Sequence, residues 1–398
     1  MRKKTALMTL SLAAAILTTV PAVARIPLRP VSDAQRVQKQ NTDCCQTEIL
    51  GLDEQIFWGQ SGQPGDKHAL LTSIDHSLRY IKSPAATAAY RRYRGTGITR
   101  DRVQRSLERF RQLVVRSNSP EELQAAVSRE FVFYQSTGRD GKGDVLYTAY
   151  YEPIHQASRV PTAEFRYPLY RLPPNFKSWR KPHPTRQELE GKDGLLGDKS
   201  RLKGLEIVWL RDRLEAFLAQ IQGSARLQLA DGKMISIGFA GKTDYPYTSI
   251  GKELAKDGKL PLAGLTLPVM IDYFTQYPAE LNNYLPRNRG FVFFRETGGA
   301  PAVGSLGVPV TADRSIATDK SLMPPGALAL IHTQLPFPND FTGSMEYRLV
   351  SRYVLDQDTG GAIKGPGRVD YFMGTGKLAG DRAGVTGNRG HLYYLLLK

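Results

Sequence analysis

The stretch that decides the fold, DTGGAIKGPGRVDYFMGTG, runs from Asp358 to Gly376 and sets two aspartates among glycines and a proline. The second acid, Asp370, stands in RVDYF, whose β-branched and aromatic residues favour a strand. Glycine adds no bulk and adopts backbone angles that other residues avoid, so a ligand can approach such acids closely. The stretch fits either a catalytic carboxylate in an open groove or a glycine-rich connection between strands that ends in solvated aspartates.

The first 24 residues have the pattern of a secretory signal. Three basic residues at positions 2–4 precede an apolar run that ends in Ala22-Val23-Ala24, the small-x-small pattern that a signal peptidase reads. Removing residues 1–24 lowers the formal net charge from +16 to +13. We therefore expect a basic protein of the periplasm or cell wall. Cell-wall polymers are expected partners and nucleic acid is not, and peripheral association with the cell wall or the outer membrane stays open.

The two cysteines, Cys44 and Cys45, are adjacent and too few for a disulfide framework. The residues before them, Asn41-Thr42-Asp43, lack the small apolar character that precedes a lipid-modified cysteine. We expect no lipid anchor. Two free thiols and a strained bond between neighbours both remain open.

Helical patterns dominate the N-terminal third of the chain, after an extended polar lead-in over residues 25–65. Apolar residues at helical spacing predict two helices, and a capping sequence predicts the start of a third. The first pattern is Leu70, Leu71, Ile74, Leu78 and Ile81; the second is Val103, Leu107, Phe110 and Val114; the third helix begins at Ser119-Pro120. The arginines between Arg91 and Arg116 are expected to coat a solvated helix face, with a polymer-binding surface as the alternative.

Strand patterns dominate the rest of the chain. FVFY (131–134) and DVLYTAYY (144–151) flank a glycine-containing turn and predict one hairpin, and the Asp231-Gly232 turn predicts a second. Helices are predicted at Ile207 to Ala219, around Ser249 to Ala255 and around Val269 to Tyr277. From Gly304 onward short strands alternate with Pro- and Gly-rich turns, which favours a barrel or a sandwich.

Most common catalytic motifs are missing from the sequence. The six histidines are scattered and no pair has helical metal-ligand spacing. There is no G-x-S-x-G elbow, phosphate loop or dinucleotide fingerprint. We therefore expect neither a metal nor a cofactor. Carboxylates among aromatics, amides and lysines are left, which is typical of a polysaccharide site.

Six segments, in order along the chain, carry a specific resemblance. They are LYTAYYEPIHQASR (146–159), IQGSARLQLADG (221–232), FAGKTDYPYTSIGKEL (239–254), GFVFFRE (290–296), ATDKSLMPPGALALI (317–331) and DTGGAIKGPGRVDYFMGTGKLAGDRAG (358–384). From about residue 65 to the C-terminus the chain resembles the membrane-bound lytic murein transglycosylase A (MltA) family. Its C-terminal part is similar to the 3D domain, named for three aspartates, which here are Asp319, Asp358 and Asp370.

The resemblance implies a mainly β fold with an N-terminal helical part, of the α+β class. A double-psi β-barrel, built from residues 66–153 and 312–398, would be interrupted by a smaller β-rich domain at 154–311, with a groove for a glycan strand between them. It also implies a peptidoglycan lytic exotransglycosylase. We expect a monomer that needs no cofactor. Such an enzyme cleaves the β-1,4 bond between N-acetylmuramic acid and N-acetylglucosamine and leaves a 1,6-anhydro ring. The residues themselves leave cleavage from chain ends or within chains open.

By motif match, Asp370 is the expected general acid and base. Asp358 either raises the pKa of Asp370, orients Lys364, or forms a turn, and Asp319 is either a groove residue or a capping acid. The expected substrate contacts are Thr148, one of the pair Tyr150 and Tyr151, Gln222, Lys242 and Lys364.

Two other functions stay open from the residues. A hydrolase on the same barrel would use Asp370 as the acid and Asp358 or Asp319 as the base. A wall-binding module without catalysis would need only the basic surface and the aromatic residues.

Overall fold

The computed structural model describes residues 26–31, 50–59, 64–93, 96–339 and 341–398. The predicted signal and the two cysteines lie outside these residues. The described helices are α1 Lys67–Ile81, α2 Pro84–Tyr90, α3 Arg100–Arg116, α4 Pro120–Glu130, α5 Arg186–Glu190, α6 Arg213–Gln222, α7 Ile250–Lys256, α8 Leu267–Gln276, α9 Leu281–Tyr284 and α10 Lys377–Val385. The described strands are β1 Leu28–Val31, β2 Phe131–Ser136, β3 Val145–Glu152, β4 Ile154–Ser158, β5 Tyr167–Tyr170, β6 Glu206–Leu210, β7 Ser224–Leu229, β8 Met234–Lys242, β9 Val292–Glu296, β10 Ser315–Ala317, β11 Leu328–Pro338, β12 Met345–Asp358, β13 Arg368–Thr375 and β14 Arg389–Leu397.

A closed six-stranded barrel forms the centre of the larger sheet. Its strands follow the order β14-β11-β12-β10-β13-β3, and β3 closes the ring by pairing again with β14. The β13–β3 and β10–β12 pairs are parallel, and the other pairs of the ring are antiparallel. Closure leaves no free edge within the ring. The expected fold class, mainly β with N-terminal helices and a barrel, is confirmed.

The N-terminal helices pack on this barrel through the apolar stripes seen in the sequence. Val103, Leu107, Phe110 and Val114 of α3 are all 0% exposed, as their spacing predicts. The Phe110 ring lies 4.9 Å from the Tyr353 ring of β12, measured between centroids. Ser119 caps α4 by accepting the Glu122 N–H, again as predicted. In a capping box the Glu122 carboxylate would accept the N–H of Ser119, but here it accepts the N–H of Asn118, one residue earlier.

The first predicted hairpin is wrong. The turn over residues 137–144 forms, with Asp140 accepting three backbone N–H groups, but β2 and β3 do not pair with each other. Strand β14 lies between them, pairing with β2 through Tyr393 to Leu397 and with β3 through Arg389 and Gly390. Turn chemistry is local, whereas the choice of strand partner depends on burying the apolar C-terminal strand.

A second, six-stranded sheet has the order β5-β6-β4-β7-β8-β9. The predicted hairpin at Asp231-Gly232 is confirmed as β7–β8. The helix predicted from Ile207 is wrong over its first turn, because residues 206–210 form β6 and the helix starts only after Asp212. Asp212 caps α6 by accepting the N–H groups of Leu214 and Glu215.

Part of the sequence between 25 and 65 is held by buried ion pairs. Arg314, 0% exposed, pairs with Asp53 at 2.5 Å and with Asp66 through its Nε at 2.9 Å. Arg352 donates to the same Asp66 at 2.7 Å. Breaking such a pair leaves an uncompensated buried charge, so these contacts fix the described part of the lead-in on the barrel.

Helix α10 was not predicted, since KLAGDRAGV contains two glycines and little apolar periodicity. It packs where the two sheets meet. Gly380 allows this contact, because a Cβ at that position would lie 2.8 Å from the Tyr151 ring. No helix in the described parts of the chain is both long and apolar enough to cross a membrane.

Removing the buried ring of Phe110 tests the helix–barrel packing. Phe110→Ala leaves a cavity between α3 and the barrel and is expected to lower the free energy of unfolding by about 3–5 kcal/mol. Arg105→Ala, on the exposed face of the same helix, should change it by less than about 0.5 kcal/mol. Urea unfolding of both variants measures the difference, and equal values would contradict this packing.

Candidate active site

Four neighbouring strands of the barrel align the candidate acids in one row. Asp370 on β13 lies opposite Thr148 of β3 on one side and Ala317 of β10 on the other. Ala317 in turn lies opposite Asp358, the last residue of β12. With strands about 4.8 Å apart, the Asp358 and Asp370 backbones are separated by about 10 Å across the small Ala317. The two acids of the glycine-rich stretch are therefore brought together by the sheet.

Asp370 has the properties of a general acid near neutral pH. It is half-buried, and the Thr148 hydroxyl donates to its Oδ1 at 2.5 Å. Burial raises the pKa of Asp370 to about 6; the Thr148 hydrogen bond and the charge of Arg368 act to lower it, and Asp358 acts to raise it. At neutral pH such a group exchanges a proton readily in either direction.

Asp358 is surrounded by hydrogen-bond donors. Its Oδ1 accepts the backbone N–H groups of Ser305 at 2.7 Å and Thr359 at 2.8 Å, and its Oδ2 accepts the Tyr150 hydroxyl at 2.9 Å. Burial raises the pKa of Asp358, and these three hydrogen bonds act in the opposite direction. Both carboxylate oxygens are thus already in use. Asp358 anchors the chain at Ser305 and orients Tyr150.

Asp319 is a buried carboxylate within a loop. It accepts the backbone N–H and hydroxyl of Ser321 through Oδ1, and the N–H of Gly365 through Oδ2 at 2.9 Å. Burial acts to raise its pKa, but these hydrogen bonds and the nearby charge of Lys364 outweigh it and leave the pKa lowered. This acid ties the glycine-rich stretch to the loop that follows β10. The exposed Lys364 is placed beside Asp319.

The two tyrosines of β3 have different environments. Tyr150 is on the same face as Thr148, its ring lies 5.1 Å from Phe372, and its hydroxyl reaches Asp358. Tyr151 points the other way and packs against Gly380 of α10. Strand alternation separates them. Tyr150 is therefore the one that the structure brings to the acids.

Gln222 and Lys242 come from the second sheet's side of the molecule. Gln222, the last residue of α6, accepts the backbone N–H of Tyr151 at 3.0 Å, so its amide oxygen links α6 to β3. Lys242, at the end of β8, is exposed, and its Nζ would lie 3.3 Å from a Cβ at Gly361. The missing side chain at position 361 thus lets this amine approach the glycine-rich stretch.

Two neighbours of Asp370 were missed in the sequence. Arg368 lies two residues earlier on β13 and therefore on the same face, which strand periodicity alone could have indicated. Tyr247 is 38% exposed and stands beside Gly361, across from β13. Burial raises the pKa of Tyr247, and the charge of Asp370 adds to that increase. Tyr247 stood within one of the quoted segments, but nothing in its local pattern separated it from Tyr245.

Glu152 joins the two sheets. It is 2% exposed, accepts the Thr375 hydroxyl at 2.8 Å and pairs with Arg226 of β7 at 2.9 Å.

Among the described residues no group of three or more His, Cys, Asp or Glu side chains is arranged to hold a metal ion.

These contacts define a candidate acid and base site where the two sheets meet.

Comparison with known proteins shows which family this chain resembles. The MltA specific insert domain matches residues 146–295, and the 3D domain matches residues 314–396. Membrane-bound lytic murein transglycosylase A of Escherichia coli K12 is 34% identical over 265 residues, which cover 66% of this chain and 68% of the relative. Its counterpart in Vibrio cholerae is 32% identical over 267 residues, with the same coverages.

Solved structures show the same relationship. E. coli MltA with bound chitohexaose aligns with a TM-score of 0.63 at 26% identity, over 87% of this chain and 96% of that one. A membrane-bound lytic murein transglycosylase from Agrobacterium tumefaciens aligns with a TM-score of 0.61 at 29% identity, over 79% of this chain and 91% of that one. The chain belongs to the membrane-bound lytic murein transglycosylase A family.

Replacing Asp370 by asparagine tests its raised pKa without any substrate. The pKa of about 6 exceeds the ordinary 3.8, so the folded state binds this proton more tightly than the unfolded chain. The charged carboxylate therefore costs stability, a cost that is absent below about pH 4 and full above about pH 6. Asp370→Asn should raise the free energy of unfolding by roughly 1–3 kcal/mol at pH 8 and by nothing at pH 4.

Urea unfolding at the two pH values measures this difference. Asp140→Asn is the matched control, because backbone hydrogen bonds hold the pKa of Asp140 below its ordinary value, so the same substitution should destabilise at pH 8. A loss of stability in the Asp370 variant at pH 8 would contradict the assignment.

Proposed function

We propose that this protein is a peptidoglycan lytic transglycosylase in which Asp370 is the single general acid and base. The observation that carries the proposal is the carboxyl group of Asp370, half-buried, with a pKa of about 6, beside Thr148 and Tyr150. Membership of the MltA family supports the same reaction.

The proposed reaction needs one protein carboxyl group. Protonated Asp370 gives its proton to the O4 leaving oxygen of N-acetylglucosamine as the bond to C1 of N-acetylmuramic acid breaks. The C6 hydroxyl of the same muramic ring attacks C1 and returns its proton to Asp370. The product carries a 1,6-anhydro ring, and the enzyme is restored. Because the attacking oxygen belongs to the substrate, its high effective concentration replaces a second catalytic residue.

The hydrogen bonds of the other two acids favour this reaction over hydrolysis. A hydrolase needs a second carboxylate that is free to attack the sugar or to activate water. Asp358 already accepts three hydrogen bonds and Asp319 also accepts three. We assign both to holding the glycine-rich stretch and Tyr150 in place.

The proposed substrate contacts are Thr148, Tyr150 and Lys242 from the sequence, with Tyr247 added from the structure. Lys242 and Tyr247 face Gly361 from the second sheet's side, so a glycan strand would lie between the two sheets. We further propose that residues 66–153 and 312–398 form the catalytic domain and 154–311 the inserted one, after the lead-in. The order of the two matches, the insert domain at 146–295 followed by the 3D domain at 314–396, supports this proposal.

Location and assembly are also proposals. Export through a signal in residues 1–24 would place the chain in the periplasm, where its positive charge would hold it at the anionic cell wall. We propose that it acts there as a monomer, without a cofactor.

Product analysis tests the proposed reaction. Purified peptidoglycan treated with the protein should yield muropeptides ending in anhydro-muramic acid, identified by mass spectrometry. Asp370→Asn should lower the rate by at least about a thousandfold while leaving binding to sedimented peptidoglycan intact. Reducing muramic ends would instead identify a hydrolase, and no release by the unchanged protein would identify a wall-binding module.

Thr148→Val tests how the acid is tuned. The alkaline limb of kcat/KM should reflect deprotonation of Asp370, and the Thr148 hydroxyl stabilises the deprotonated form. Removing it should move that limb upward by roughly one pH unit. Thr148→Ser keeps the hydroxyl and should leave the limb in place. A pH–rate profile that shifts downward or does not move would contradict this role.

A further inference from the structure

A cationic aromatic surface lies on the second sheet's side of the molecule. Arg289 stacks on the Tyr245 ring at 4.3 Å, and Arg201 lies over the Trp179 ring at 5.6 Å. The two rings belong to one cluster, because His183 contacts Trp179 and its carbonyl accepts the Tyr245 hydroxyl at 2.6 Å. We call this the Arg201–Arg289 surface. Ring stacking holds both guanidinium groups in defined positions while leaving them exposed.

The positive charge of this surface is not neutralised within the protein. Arg201, Arg289 and the nearby exposed Lys181 form no ion pair with a carboxylate of the described residues. Glu188 and Asp244 lie close to them, but both acids are already hydrogen-bonded.

The partners of these two acids are local. Glu188 accepts the N–H and hydroxyl of Thr185 at 2.7 Å, and these bonds, with the charges of Arg289 and Arg201, lower its pKa. Asp244 accepts the backbone N–H of His183 at 3.0 Å. This hydrogen bond is the largest cause of the lowered pKa of Asp244, and the charge of Lys181 also lowers it. The three cations outnumber these two ionised acids, so the surface keeps a positive charge. Its cations are available to bind an anion.

The Arg201–Arg289 surface adjoins the candidate active site through one short segment. Arg289 stacks on Tyr245, and Tyr245 is two residues before Tyr247 in the sequence. Tyr247 lies beside Gly361. Two residues of chain span at most about 7 Å. A polymer lying over Asp370 and Tyr247 therefore passes close to Arg289.

We propose that the Arg201–Arg289 surface binds the carboxylates of the peptide stems on the glycan strand being cleaved. The inference rests on the proposed function. Peptide stems leave the strand at muramic acid, the sugar attacked in the proposed reaction, and they carry free carboxylates. A preorganised guanidinium group accepts a planar carboxylate through two parallel hydrogen bonds. The surface would thus favour strands that still carry their peptides.

The test compares two substrates with one enzyme. Initial rates of anhydro-muropeptide release are measured on intact peptidoglycan and on glycan strands stripped of peptides by an amidase. For Arg201→Gln/Arg289→Gln, the ratio of kcat/KM on intact over stripped strands should fall by about threefold to tenfold, through KM. The effect should shrink at high salt, because exposed charges are screened.

The matched control removes two arginines elsewhere. Arg105→Gln/Arg116→Gln changes the net charge equally on the exposed face of α3 and should leave the ratio as in the unchanged protein. An equal loss on both substrates, or an unchanged ratio in the Arg201/Arg289 variant, would overturn the proposal. So would loss of binding to anionic phospholipid vesicles with an unchanged ratio, which would identify a lipid surface instead. Absence of anhydro products from both substrates with unchanged protein would refute the proposed function itself.

Discussion

The parallel pairing of β13 with β3 is the constraint on which the site depends. It sets Asp370 opposite Thr148, so that the hydroxyl meets the carboxylate, and it sets Phe372 opposite Tyr150. The pairing requires two strands more than two hundred residues apart in the chain to meet, with β14 paired to β3 on the other side. A slip of one residue would turn Asp370 to the other face of the strand and remove the Thr148 contact. Barrel closure and the acidity of Asp370 are therefore consequences of one register.

The three aspartates of the 3D domain differ in chemistry because burial and hydrogen-bond donors differ around each of them. Asp319 and Asp358 each accept three hydrogen bonds, and Asp319 keeps a lowered pKa despite its burial. Asp370 accepts its side-chain hydrogen bond from Thr148, and burial dominates its pKa. Burial outweighs the hydrogen bonds at Asp370 and at Asp358 and raises both pKa values, whereas at Asp319 the hydrogen bonds and the charge of Lys364 outweigh burial. The glycines also shape the site. Gly361 has no side chain to block Lys242, and Gly365 donates its N–H to Asp319.

The sequence predicted what local patterns control. The stripe of α3, the Asp231-Gly232 hairpin and the short helices α7 and α8 follow from spacing and turn chemistry. The prediction of the first hairpin was wrong because β14 lies between β2 and β3. Strand β14 is more than two hundred residues beyond β3 in the chain, so no local pattern indicates this pairing. Residues 207–210 were predicted as helix because IVWL has no periodicity that separates a buried strand from a buried helix. The short strands after Gly304 left a barrel and a sandwich open, and the resemblance favoured the barrel.

The candidate site was predictable to a similar extent. Motif order identified the three aspartates, but the row from Asp358 through Ala317 to Asp370 exists only once β12, β10 and β13 are paired. Tyr247 and the Arg201–Arg289 surface depend on how the second sheet packs against the first, which a linear pattern does not encode. The sequence predicted Gln222 as a substrate contact, and its hydrogen bond to the Tyr151 N–H likewise depends on the fold.

The central claim is that one carboxyl group suffices because the sugar supplies the attacking oxygen. Digestion of peptidoglycan in water labelled with heavy oxygen, followed by mass spectrometry of the newly formed muramic ends, tests it most directly. These ends should carry no oxygen from the solvent. Heavy oxygen at C1 of the new muramic ends would show that water, and not the C6 hydroxyl, is the nucleophile.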